Sequence, residues 1–261
     1  MSNNYWAERI SKAQTNRADK NIFDTEKQLQ KYYKTTMKKA IADFEATYDK
    51  LWGSMWIEGR EPTPADLYKL DKYWQMQAQL KEELQKLGDK EAALLSEKFT
   101  KTYKDIYDNL ALPSETAYSS IDTALAEEMI NTIWCADGKS WSTRIWENTE
   151  KLMETLNEEL IDCVVSGRDT KELTRRLTER FNVSYSQADS LVRTEIAHIQ
   201  TQASQKRYKD AGIGWVQIWA NTVERRCEVC GKLHQKKYRV GDKLPIPAHP
   251  RCRCCAVPVI D

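Results

Sequence analysis

The stretch Ala211-Gly212-Ile213-Gly214-Trp215-Val216-Gln217-Ile218-Trp219 separates two kinds of sequence. Before it, apolar residues recur every three or four positions, the spacing of a helix with one buried face. Within it they recur every second position and are β-branched or aromatic, which predicts a strand over residues 215–219. Two more strand-like pieces follow, at 238–240 and 256–260, set among cysteines, prolines and lysines. The expected fold class is therefore mainly α with a small C-terminal β segment.

Working back from that stretch, residues 5–58 predict one long helix or two in series. Ile22, Leu29, Tyr33, Met37, Ile41, Phe44, Tyr48, Leu51 and Met55 form its apolar stripe. Gly53 and Gly59, with Glu61-Pro62-Thr63-Pro64, end it. Thr63 as N-cap, Pro64 at the first helical position and Asp66 near the positive dipole end start the next. Leu67, Leu70, Tyr73, Trp74, Leu80, Leu84 and Leu87 carry that helix to a stop at Gly88. A third helix is expected over 90–110, stopped by Pro113, and a fourth capped by Ser114 and reaching about 134. After a turn at Asp137-Gly138, helix resumes over 142–165 and ends at Ser166-Gly167, where glycine suits the left-handed cap. Two further helices are expected, over 170–181 and 186–211, the second closed by Gly212. The domain reading is an extended helical N-terminal region, 1–135, and a compact domain, 136–261, whose residues 213–261 form a small β element. So short an element, poor in large apolar side chains, needs a staple besides burial.

Composition narrows the function classes. In 261 residues, 41% are hydrophobic and 30% charged, too apolar for a disordered chain. The mean hydropathy of −0.71 and the lack of any apolar run near the roughly 20 residues of a spanning helix argue against a membrane protein. The opening Met1-Ser2-Asn3-Asn4-Tyr5 shows no secretory leader. The net charge of +1 hides an uneven distribution: residues 206–253 carry 12 Lys and Arg against 4 Asp and Glu, a local charge of +8, leaving −7 elsewhere.

Five of the seven cysteines lie between Cys227 and Cys255. Clustering in a chain without a leader points to metal rather than to a disulfide framework. Cys227-Glu-Val-Cys230 puts two thiolates on one tight turn, and His249-Pro-Arg-Cys252-Arg-Cys254-Cys255 supplies a second pair. Together they suit a structural zinc ion held by Cys227, Cys230, His249 and Cys252, with Cys254 as alternative ligand. The choice among Cys252, Cys254 and Cys255 is open on sequence alone. Reduced thiols without metal, or disulfides formed in an oxidising medium, are the competing readings. Arg225, Arg226, Arg251 and Arg253 would favour thiolates. His234 reads as a solvated loop residue, and Cys135 and Cys163 as small buried apolar groups.

No catalytic constellation is visible. The sequence has no His-Glu-x-x-His, no Gly-x-Ser-x-Gly, no phosphate-binding glycine loop and no deaminase pattern. A zinc-stapled nuclease using His234 or His249 as base is the alternative, but it would need a carboxylate-bound catalytic metal that the sequence does not display. No enzyme activity and no small-molecule substrate are expected. Arg193-Thr194-Glu195 reads, by spacing alone, as a solvated charged turn of its helix. The basic segment, interleaved with Tyr208, Trp215, Trp219 and Tyr238, suits a phosphate backbone, with Lys232, Lys236, Lys237, Arg239, Arg251 and Arg253 as candidate contacts to double-stranded DNA. The competing partner is an acidic protein surface, including the acidic remainder of this chain.

Several of these runs add up to a resemblance. Asp137-Gly-Lys-Ser-Trp-Ser-Thr-Arg144-Ile-Trp146, Ser166-Gly167, Leu191-Val-Arg193-Thr194-Glu195 and Ala211-Gly212-Ile213 resemble the tailed-phage head morphogenesis, or minor head protein, family of the Mu F-like group. So do the tryptophan strand, Cys227-x2-Cys230-Gly-Lys-Leu233 and Pro247-Ala-His249-Pro-Arg-Cys252-Arg-Cys254. The likeness is specific over about 137–258. The helical N-terminal half, beginning Tyr5-Trp6, is similar to extensions in such proteins from phages of Gram-positive hosts. Two departures stand out: Ala248 replaces the family's second proline before the histidine, and Cys255 is extra. The resemblance implies a virion protein of few copies, in the head interior and in host cytoplasm during assembly. It further implies partners in the portal protein, the major capsid protein or both, and contact with packaged DNA. Some relatives carry an added toxin domain such as an ADP-ribosyltransferase; with the sequence ending at Asp261, none is expected here.

Overall fold

The computed structural model describes residues 3–55, 60–110, 112, 119–220 and 226–259. Helix α1 spans Asn3–Met55, α2 Pro64–Tyr68, α3 Asp71–Asn109, α4 Thr123–Ile130, α5 Trp141–Val165 and α6 Thr170–Asp210. Strand β1 (Trp215–Trp219), the short helix α7 (Glu228–Leu233), β2 (Lys237–Arg239) and β3 (Cys255–Pro258) complete the order. The chain is thus mainly helical with a small C-terminal sheet. No described helix is long and apolar enough to cross a membrane.

The residues group into two compact units that do not follow chain order. One comprises Met1–Glu26, Leu94–Trp141 and Asp189–Asp261, the other Lys27–Ala93 and Ser142–Ala188. Each therefore draws on segments from both sides of residue 135.

In the second unit, Leu29, Tyr33, Phe44, Tyr48, Leu51 and Met55 of the α1 stripe are buried, while Met37 and Ile41 are half-buried. The Thr63 start of α2 holds as expected: the Thr63 N–H and hydroxyl donate to Asp66 Oδ2 at 3.1 and 2.7 Å. Arg60 forks onto the same carboxylate at 2.7 Å, and with Thr63 keeps it well below the usual carboxylate range. That helix lasts only five residues. Gly167 caps α5 at φ +60°, with Arg168 N–H donating to Cys163 O at 3.0 Å.

Four sequence expectations give way. Gly88 does not end a helix, because α3 runs through it; a Cβ there would lie 2.7 Å from the Trp146 ring, so the position serves close packing. The expected separate helices at 170–181 and 186–211 are one, α6. Phe181 and Ser184 are buried, and Ser184 O accepts from Asn148 at 3.1 Å, so packing carries the helix across residues of modest propensity. The helix expected up to 134 is the shorter α4, with Asp122 at its N-cap position. Cys163 is fully buried, but Cys135 is only half-buried. Gly59, Pro113, Ser114, Arg225 and Ile260 lie outside the described residues.

The sheet, in the first unit, is antiparallel with order β2-β1-β3. Trp215 pairs with Arg239 and Gln217 with Lys237 on one side, and Gln217 pairs with Val257 on the other. Val216 and Ile218 point into a core shared with Ala7, Ile10, Tyr208, Leu244, Ile246 and four cysteines, Cys230, Cys252, Cys254 and Cys255. One amide ties three elements together beneath it. Gln14 Nε2 faces Ser204 Oγ and Tyr208 Oη at 3.0 Å each and Ala256 O at 3.3 Å.

Candidate metal centre

Helix α7 and its N-cap residue present two sulfurs on one turn. Cys227 is its N-cap residue, and the Cys227 sulfur accepts from the Cys230 N–H at 3.4 Å. That bond holds the Cys227 thiol below its ordinary value. On the facing side, Leu244 and Ile246 sink into the core and aim the following loop at α7. The loop turns at His249, whose carbonyl accepts from Cys252 N–H at 3.1 Å, with Arg251 in the left-handed region at φ 60°.

His249 Nδ1 lies 2.8 Å from Pro250 O, which fixes that nitrogen as the donor and leaves the Nε2 lone pair free. Nε2 sits 3.3 Å from Cys227 Sγ and 3.2 Å from Cys230 Sγ. Cys230 Sγ is in turn 3.8 Å from Cys252 Sγ. The donors form two trios, Cys227–Cys230–His249 and Cys230–Cys252–Cys254, each with its atoms within 4.8 Å of one another. Cys230 belongs to both. The quartet expected from sequence spans the two trios, and its alternative ligand, Cys254, belongs to the second. Cys255 belongs to neither: its sulfur points the other way, 3.8 Å from Trp219 O.

The donor set suits a thiophilic cation. Two sulfurs each at about 2.3 Å from one tetrahedral ion lie about 3.8 Å apart, which is the Cys230–Cys252 spacing. Without a cation the thiols compete for protons. A hydrogen bond from Cys254 holds Cys252 down to about 5, while burial pushes Cys230 up to about 12 and the Cys252 contact pushes Cys254 up. Crowded thiolates in so buried a place cannot all ionise unless positive charge joins them.

Arg193-Thr194-Glu195 is not a solvated turn. Thr194 Oγ1 accepts from the Arg251 N–H at 3.0 Å and donates to Ser190 O at 2.7 Å. The Arg251 guanidinium pairs with Asp189 at 2.7 Å, and Arg193 bridges Asp189 at 3.1 Å and Glu26 at 2.5 Å. Partial burial, and then the neighbouring Asp189 carboxylate, push Glu26 up to about 7. Glu195 is 4% exposed and accepts from Trp134 Nε1 at 3.0 Å; Trp134 stacks on His198 at 4.2 Å. The motif therefore fastens the loop bearing His249 and Cys252 to α6. Spacing could not show this, because the partners lie 57 residues away in sequence.

The six candidate DNA contacts divide. Lys236, Lys237 and Arg239 are exposed on and beside β2, with the Arg239 guanidinium 5.4 Å from the centre of the exposed Trp215 ring. Lys232 is exposed on α7 and pairs with Glu228 at 2.6 Å. Arg251 and Arg253 sit on the loop that bears Cys252 and pair with Asp189 and Asp19. His234 is a structural group: its Nδ1 accepts from Ala220 N–H at 3.2 Å, and its ring meets Trp219 edge-on at 4.9 Å.

Residues 154–257, which hold α6, β1, β2, all but the last residue of β3 and the five clustered Cys and His side chains, match the family described as phage Mu protein F like protein. The chain is also 27% identical over 145 residues to NAD(+)–arginine ADP-ribosyltransferase EFV of Enterococcus faecalis. That stretch is 48% of this chain and 29% of the relative, so the chain spans less than a third of that protein. No solved structure matches.

Proposed function

We propose that the chain is a minor head protein of a tailed phage, acting in virion head assembly at the portal or against major capsid protein, inside the head. The match of residues 154–257 to phage Mu protein F like proteins carries this reading. In it, a structural zinc ion on the Cys227, Cys230, His249 and Cys252 cluster, with Cys254 in reserve, stiffens the C-terminal element. Zinc supplies folding energy there and no chemistry. The long helices offer the protein-docking surface, and the β2 face meets double-stranded DNA.

The DNA part is narrower than composition implied. Lys232, Arg251 and Arg253 are engaged by carboxylates, so Lys236, Lys237 and Arg239 are the cations offered to phosphates, with Trp215 beside them as a stacking surface. Co-expression with the portal protein encoded by the same phage should give a complex that co-purifies, and its absence would count against the assembly role. Duplex DNA should bind at 50 mM salt, and Lys236→Glu/Lys237→Glu/Arg239→Glu should weaken it at least about tenfold and flatten the salt dependence. Equal binding by that variant would remove DNA from this face.

The E. faecalis relative prompts a second reading, transfer of ADP-ribose from NAD(+) to arginine, and the cluster prompts a third, a zinc-stapled nuclease. Neither NAD(+) consumption nor metal-dependent DNA cleavage is expected. Either one, lost with the alanine variant of His234 or His249 in the nuclease case, would reverse the assignment.

A further inference from the structure

We propose that the metal centre carries five donors for one four-coordinate ion, with His249 and Cys254 as interchangeable fourth ligands. This rests on the metal reading above and goes beyond it by assigning the roles of individual donors. Cys230 is shared by both trios, so an ion held by either trio contacts it. Cys227 is set by the α7 N-terminus and by the Cys230 N–H on its sulfur. Cys252 is set by its own N–H bonded to His249 O, and its sulfur lies at the tetrahedral spacing from Cys230. His249 and Cys254 each belong to one trio only, and they flank Cys252 on one loop.

Chain parity explains why the loop offers two sulfurs. Over Arg251-Cys252-Arg253-Cys254 the arginines are exposed and the cysteines buried, so Cys252 and Cys254 share a side, while the Cys255 sulfur lies 3.8 Å from Trp219 O and outside both trios. At the other end, His249 Nε2 reaches two sulfurs from a half-buried position. A four-coordinate ion leaves one of the five donors over. A His-for-Cys exchange changes the set from three thiolates and an imidazole to four thiolates, both usual for structural zinc. Arg251, held to Thr194, lies between the two exchangeable donors and keeps the loop seated whichever is used.

The test uses the full chain, loaded with Zn²⁺ or Co²⁺ under reducing conditions and dialysed to equilibrium. Wild type, His249→Ala and Cys254→Ser should each retain one equivalent, the single variants within about tenfold of wild-type affinity. Cys230→Ser and the double variant His249→Ala/Cys254→Ser should lose more than about a hundredfold. With Co²⁺, the sulfur-to-metal charge-transfer band of His249→Ala should be at least as intense as that of Cys254→Ser, which retains only three thiolates. Far-UV circular dichroism, dominated by the helices, verifies that each variant is folded. If either single variant loses metal as completely as the double, the exchange is wrong while the metal site stands. Two equivalents in wild type would replace it with a pair of ions bridged by Cys230. No metal in wild type would remove the metal reading itself.

Discussion

Thr194 shows how much one hydroxyl can organise. It sits between two charged residues in a motif that spacing alone assigns to solvent, yet it receives the backbone N–H of Arg251 at 3.0 Å across 57 residues of chain. Arg251 is in the left-handed region, which costs a non-glycine residue of order 1 kcal/mol and persists only where its neighbours hold it. Thr194→Val keeps the shape and removes the acceptor. It should destabilise the protein by about 1 kcal/mol in urea and speed metal loss to a chelator, whereas Thr194→Ser should behave as wild type. Equal chelation rates for the valine variant and wild type would show that the loop is seated by its ion pairs instead. The thiols and imidazole of the cluster are legible as candidate ligands from residue type and spacing, and the fold brings them into two trios that could hold a metal. Their grouping is not legible: Cys254 and Cys255 are adjacent letters, and only the start of β3 decides which faces the cluster. His234 likewise read as a solvated loop residue, because nothing local reveals the Ala220 N–H it accepts from.

Elements are legible in the sequence where one periodicity runs unbroken, and hidden where a glycine sits inside a helix for packing rather than at its end. The period-two run of β1 and the stripe of α1 came through with their boundaries nearly intact. Gly88 did not, since a glycine inside α3 looks like a helix end until the Trp146 ring is seen against it. The same ring gives a prediction. Gly88→Ala gains up to about 1 kcal/mol of helix propensity, but its Cβ would meet the rigid indole at 2.7 Å. Overpacking of that kind costs about 1–3 kcal/mol, so the variant should melt lower than wild type. Gly53 is the control: it also lies within a helix, α1, and a Cβ there meets nothing within 4 Å. Gly53→Ala should be neutral or stabilising by up to about 1 kcal/mol. If both alanines acted alike, propensity rather than packing would govern these helices. No glycine marks the expected break of α6 at 182–185; there the partners of Ser184, Asn148 of α5 and Tyr33 of α1, cannot be read from its own neighbourhood.

At the scale of the molecule the near-neutral charge conceals two units stabilised differently. The first includes the thiol cluster and should respond to chelation. The second contains a buried carboxyl, Glu91, which is 1% exposed. Its Oε2 accepts from the Tyr33 hydroxyl at 3.0 Å, while Oε1 has no hydrogen-bond partner among the described residues. Burial pushes Glu91 from an ordinary 4.5 up to about 7, the Tyr33 bond only partly opposing it. Between those two values the folded chain holds a proton that the unfolded chain has released. Stability from this group is therefore complete below about 4.5, falls as pH rises through 7, and stays low above it. Between pH 5 and pH 8 the loss is about 2 kcal/mol. Glu91→Gln presents the same acceptor to Tyr33 without a charge to bury. It should match wild type at pH 5 and exceed it by about 2 kcal/mol at pH 8, read from urea unfolding at both pH values. Glu26, pushed up to about 7 in the first unit, titrates in the same window, so the informative quantity is the difference between variant and wild type. A constant difference across that range would mean that Glu91 is already ionised in the fold. A difference that opens between pH 5 and 8, in protein stripped of metal as in protein loaded with it, would assign that part of the pH response to Glu91 in the second unit, independent of the thiol cluster in the first.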